Sequence, residues 1–127
     1  MKLVDFGLSK NNLKNKTSTI CGTPEYIAPE ILLKENYSKE VDWWALGCLI
    51  YEMIIGIPPF YSENRFELFE LIRYKQPHFP YGLSSSTICI ITNLLNKNPK
   101  KRLGYCRDAR EVKEHSWFKG IEWDDVY

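Results

Sequence analysis

A chain of 127 residues that is 44% hydrophobic and 26% charged can bury one core, and it is too apolar to be a disordered segment. Its 17 basic and 16 acidic residues leave a formal net charge of +1, which excludes the strong field that recruits nucleic acid or an anionic membrane. Among Cys21, Cys48, Cys89 and Cys106 there is no Cys-x-x-Cys pair, and the two histidines add no metal-ligand spacing, so the thiols read as reduced thiols of an intracellular protein.

Lys2-Leu3-Val4 is a short strand-prone run that ends at Asp5-Phe6-Gly7, and nothing at this end resembles the apolar core of a signal peptide. Residues 10–18 are polar, rich in Asn and Lys and without periodicity, the pattern of a mobile loop. A helix can start at Ala28 or Pro29, because proline is tolerated in a first turn, and residues 36–40 link it to the next element. Residues 41–55 are apolar around nearly the whole helical circumference, which predicts a core helix, ended by Gly56, Pro58 and Pro59. The apolar stretch from Val41 to Ile57 carries Asp42 and Glu52 and is shorter than the roughly 20 residues a membrane span requires. Residues 64–74 form an amphipathic helix. Ser84 or Ser85 can cap another that runs to about Asn96, with Ile88, Ile91, Leu94 and Leu95 inward. Asp108 can cap a last helix running to about His115. The expected architecture is mainly α, with a small β remnant at the N-terminus.

Asp5-Phe6-Gly7 and Ala28-Pro29-Glu30 are each weak signals alone. In this order, with a Thr/Ser-bearing loop between them, they resemble the two anchors of a protein-kinase activation segment. The stretch Cys21-Gly22-Thr23-Pro24-Glu25-Tyr26-Ile27 is longer and more specific. Asp42-Trp43-Trp44-Ala45-Leu46-Gly47, Pro58-Pro59-Phe60, Lys101-Arg102-Leu103-Gly104, His115-Ser116-Trp117-Phe118 and Gly120-Ile121-Glu122-Trp123 follow in the order of kinase landmarks. The chain therefore resembles the C-terminal lobe of an AGC-group serine/threonine kinase, of the protein kinase B and protein kinase A type, from the Asp-Phe-Gly motif onward. The resemblance implies an activation segment at 5–30, a helical lobe at 31–118 and the start of a C-terminal extension at 119–127.

It also implies roles. Asp5 would hold Mg²⁺ against ATP, a hard cation on a carboxylate. Thr19, ahead of its neighbours Thr17 and Ser18, would be the activation-loop phosphorylation site for an upstream kinase, adding about −1.5 to −2 charges that order the loop, with Lys10 as one contact. Thr23 would orient the catalytic machinery. Ile20, Pro24 and Ile27 would line the apolar pocket for the residue after the phosphoacceptor. Glu52, with Glu25 peripheral to it, would bind an arginine preceding the target Ser/Thr by charge-assisted pairing. A lone carboxylate in an apolar helix needs such a partner, or a structural ion pair, or the surface. Glu30 and Arg102 would form a buried ion pair, and Asp42 would bond the catalytic-loop backbone. The four tryptophans read as core or docking residues, and His115 as a packed or capping ring.

The 127 residues contain no Gly-rich phosphate loop, no Val-Ala-Ile-Lys strand and no His-Arg-Asp loop. The expectation is a serine/threonine kinase segment acting on protein substrates in the cytoplasm or nucleus, inactive alone, whose ATP and Mg²⁺ sites need a preceding half. It should be marginally stable, with apolar surface exposed around Val4, Phe6 and residues 41–54. The other reading is a non-catalytic module that docks partners through residues 60–74.

Overall fold

Helix α2 (Glu40–Ile55) is the longest element, and it packs mainly against the helix at Ser85–Leu94 and the turn at Pro24–Tyr26. The computed structural model describes residues 23–126. The strand expected at 2–4, the loop at 10–18, and Asp5, Lys10, Thr19 and Ile20 lie outside the described residues. The other helices are α1 (Pro29–Leu32), which packs on α3 (Arg65–Tyr74), then α4 (Ser85–Leu94) and α5 (Ala109–Lys113), with 3₁₀ turns at Pro24–Tyr26, Pro99–Lys101, Ser116–Phe118 and Trp123–Val126. The fold is mainly helical, as expected, and the described residues contain no strand longer than a single bridge residue at Tyr37.

Local chemistry sets most of the boundaries. Asn64 Oδ1 accepts from the backbone N–H groups of Phe66 (2.9 Å) and Glu67 (3.3 Å), and Ser84 Oγ accepts from Thr87 N–H (3.1 Å), so α3 and α4 start at side-chain caps. Gly56 ends α2 at φ +90°, the left-handed cap that favours glycine, and its N–H donates to Glu52 O. Helix α4 stops at Leu94, two residues short of the expected Asn96, and α5 stops at Lys113.

One expected cap is absent. Asp108 precedes α5, but its side chain caps nothing. Its backbone lies at φ 57°, ψ −140°, and its carboxylate pairs with Lys39 Nζ at 2.8 Å. That backbone lies outside the extended region from which a capping side chain reaches the first turn.

The core forms where α4 lies across α2. Gly47 permits this approach: a Cβ there would stand 2.9 Å from Leu94 Cβ and 2.9 Å from Leu95 Cδ2. Trp44, Cys48, Ile90, Ile91 and Leu94 are fully buried. Trp44 stacks on Phe60 with 5.8 Å between ring centroids, and Lys97 Nζ lies 4.0 Å from the Phe60 centroid while donating to Ile72 O at 2.6 Å. Burial lowers the Lys97 amine to about 8. Further along, Trp117 Nε1 donates to Thr87 Oγ1, and Trp117, Phe118 and Trp123 pack in sequence, fastening the last described residues to α4.

Helix α2 is not buried all round. Trp44, Ile50 and Tyr51 are inside and Val41 packs against the core, whereas Met53, Ile54 and Ile57 are exposed, so the open apolar surface sits at its C-terminal end rather than along residues 41–54. Helix α1 ends in a Schellman closure, Glu35 N–H to Glu30 O and Lys34 N–H to Ile31 O, with Lys34 at φ 57°. Glycine suits that position better than lysine, so Lys34→Gly should stabilise the chain by about 1 kcal/mol. The readout is a higher urea midpoint at unchanged slope.

Candidate functional site

The site is built where a short proline-started turn meets the last turns of α2. Pro24 fixes the first backbone angle of the 3₁₀ turn Pro24–Tyr26, whose bonds run from Tyr26 N–H to Thr23 O (3.0 Å) and from Ile27 N–H to Pro24 O (3.3 Å). The turn lays Tyr26 against α2, and its hydroxyl donates a very short hydrogen bond to Glu52 Oε2. Beside it, the Cys48 thiol points at Glu25 O from 4.0 Å.

The Tyr26 hydroxyl stays a proton donor. Burial first, then the hydrogen bond and charge of Glu52, push it up to about 12. Cys48 is likewise inert, because burial pushes its thiol up to about 12. Glu52 therefore faces a neutral donor, and among the described residues no lysine or arginine forms an ion pair with it. The structural ion pair considered for it from sequence is absent there. A half-buried carboxylate that is oriented but not neutralised can accept a cation from outside.

The other candidates separate into several groups. Glu25 is half-buried and Thr23 exposed, both next to Tyr26, and the Thr23 side chain makes no capping bond. Ile27 is buried in the core, while Pro24 is only partly buried. Glu30 and Arg102 meet inside, Nη1 to Oε1 at 2.6 Å and Nη2 to Oε2 at 2.8 Å, a two-pronged pair with both side chains out of solvent. Asp42 stands at the start of α2, where burial on its protein side, then the negative charge of Asp108, raise its carboxyl above the usual range. His115 Nδ1 accepts from Trp117 N–H at 3.2 Å and caps the turn there.

Sequence reasoning missed Tyr26 as a functional side chain. It lies 26 residues from Glu52, and nothing in the local pattern distinguishes its hydroxyl from that of any packed tyrosine. Among the described residues no group of three or more His, Cys, Asp or Glu could hold a metal ion, and no helix is long and apolar enough to cross a membrane.

Comparison with known proteins identifies the family of the chain. The protein kinase domain family matches residues 1–118. The chain is similar to the serine/threonine-protein kinase Sgk1 of Danio rerio, 46% identical over 98% of this chain and 29% of that protein. It is 45% identical to Protein kinase C-like 2 of Schizosaccharomyces pombe over 100% of this chain and 13% of the relative. It is also 45% identical to Protein kinase C of Drosophila melanogaster, over 98% of this chain and 17% of the relative. The chain thus spans about an eighth to a third of the length of such relatives. It belongs to the protein kinase domain family, as a segment of a serine/threonine kinase C-terminal lobe of the AGC type.

Proposed function

We propose that this chain is the peptide-reading part of a serine/threonine kinase that moves the γ-phosphate of ATP to protein Ser or Thr, with an arginine upstream of the target. The observation that carries the reading is Glu52, held in place by the Tyr26 hydroxyl and without a cationic partner among the described residues. An incoming guanidinium would pair with it through charge-assisted hydrogen bonds, which are roughly twice as strong as neutral ones. Glu25, in the adjoining turn, adds a second, more peripheral carboxylate.

The family's domain uses ATP and Mg²⁺. Among the described residues no group of three or more His, Cys, Asp or Glu could cage the metal, and Asp5 is the proposed ligand. Phosphorylation of Thr19 by an upstream kinase, with Lys10 as a contact, is the proposed activating event, and Thr23 the proposed link to the catalytic loop. Ile20, Pro24 and Ile27 are the proposed apolar lining for the residue after the phosphoacceptor, with Ile27 contributing from the core. A cytoplasmic setting fits the free thiols Cys48, Cys89 and Cys106.

The test is a pair of substrate peptides, with Arg or Ala upstream of the Ser, given to the longer kinase that carries this segment. Glu52→Gln should lower kcat/KM for the Arg peptide about 30-fold or more, the loss expected for truncating a hydrogen-bonded charge pair, and leave the Ala peptide unchanged. Tyr26→Phe should lower it less, about threefold to tenfold, because the carboxylate remains but loses its orienting bond. Equal losses on both peptides would assign Glu52 a structural role instead.

A further inference from the structure

Segments distant in the sequence wall a hollow of about 450 Å³. The loop after α1 supplies Lys34 and Glu35, the first turn of α2 supplies Glu40, and the turn at Pro99–Lys101 with the residues after it supplies Lys100 and Tyr105. None of these residues belongs to the peptide site. The walls are fixed to the buried Glu30–Arg102 pair. Glu35 N–H donates to Glu30 O at 2.9 Å, Arg102 Nη1 donates to Glu40 O at 2.8 Å, and Tyr105 N–H donates to Arg102 O at 3.1 Å. A satisfied buried network of this kind gives the hollow a rigid frame.

The charges that line it are unmatched. Two ammonium groups and two carboxylates face one hollow, yet among the described residues none of the four forms an ion pair, with each other or with a neighbour. Glu40 Oε2 is in addition out of solvent with no hydrogen-bond partner. A buried acceptor left without a donor costs free energy, and a cation brought close to the carboxylate offsets that cost. A simple ion meets repulsion here. An anion drawn to Lys34 and Lys100 also faces Glu35 and Glu40, and a cation drawn to the carboxylates also faces the two lysines. A ligand that carries both signs of charge satisfies both pairs at once.

We propose that this hollow binds a small amphoteric molecule, one with an ammonium group and a phosphate or carboxylate group a few bonds apart. The ammonium pairs with the Glu40 carboxylate, and Glu35 adds to its attraction. The acid group pairs with Lys34 and Lys100, with the Tyr105 hydroxyl as a neighbouring donor. Binding joins the loop after α1 to the turn at Pro99–Lys101, two segments that Arg102 already holds together from inside.

The probe is 3-aminopropylphosphonate, compared with its two halves, propylphosphonate and propylamine. Each is titrated into the full 127-residue chain and followed through the backbone amide signals by NMR. The whole probe should shift the signals of residues 34–40 and 99–105 and bind about tenfold or more tighter than either half. Lys34→Gly removes one ammonium and should weaken binding about tenfold, while its urea midpoint rises, so the loss does not come from unfolding. Glu40→Gln should bring the probe down to the affinity of propylphosphonate and leave propylphosphonate itself no weaker. Equal affinities for the probe and propylphosphonate in the unaltered chain would mean an adventitious anion only and overturn the proposal. Shifts confined to other residues, or an affinity unchanged in both variants, would overturn it as well.

Discussion

Arg102→Ala should leave the chain largely unfolded under conditions where the unaltered chain is folded. Arg102 is 1% exposed, and all the directions of its guanidinium are committed: both prongs to Glu30, Nη1 also to Glu40 O at 2.8 Å, Nε to Asn96 O at 3.1 Å, and its flat face 5.2 Å from the Trp44 ring centre. These contacts join α1, the start of α2 and the loop after α4. Removing the cation strands the Glu30 carboxylate inside the protein, a loss of about 3–5 kcal/mol against total stabilities of about 5–15 kcal/mol for ordinary domains. Arg102→Lys should recover little, since a single ammonium cannot reproduce the planar two-pronged pair. Replacing both partners together, Glu30→Leu with Arg102→Met, should cost less than Arg102→Ala, because no buried charge is left alone. Urea melts followed by Trp fluorescence and circular dichroism distinguish these cases. Equal midpoints for the unaltered chain and Arg102→Ala would refute the assignment.

The second large effect is predicted for Gly104→Ala. Gly104 has φ +93°, and a Cβ placed on it would lie 2.6 Å from Trp43 Nε1 and 2.7 Å from Trp43 Cδ1. The ring packs against the core and cannot withdraw freely. Left-handed strain of about 1–2 kcal/mol adds to an overpacking cost of about 1–3 kcal/mol, for a loss of about 2–5 kcal/mol. Gly56 is the internal control. It has nearly the same φ, +90°, but open space where its Cβ would go. Gly56→Ala should show the strain alone, so the gap between the two urea midpoints measures the clash with Trp43. Equal losses would mean that the ring moves aside at no cost.

What the sequence made legible follows the range of the interactions. Asn64 and Ser84 announce α3 and α4 because a cap needs only a side chain and the next turn of backbone. Gly56 announces the end of α2 for the same reason. Asp108 carries the same local signal, yet its backbone is not extended and its carboxylate pairs with Lys39, 69 residues away, which no local rule anticipates. Glu52 is conspicuous in the sequence as a lone carboxylate in an apolar helix, but its partner Tyr26 is fixed only when the Pro24 turn docks on α2. Likewise, the apolar residues of α2 foretell a buried helix without saying which end stays open, because Met53 and Ile54 are exposed through the placement of neighbouring elements.

The most direct test of the kinase assignment is phosphoryl transfer to an Arg-containing Ser/Thr peptide by the longer protein in which this segment joins a nucleotide-binding half. That protein should phosphorylate the peptide in ATP and Mg²⁺, and Asp5→Asn should reduce the rate to background while peptide binding persists. Transfer undiminished by Asp5→Asn, or no transfer by the unaltered protein, would contradict the account.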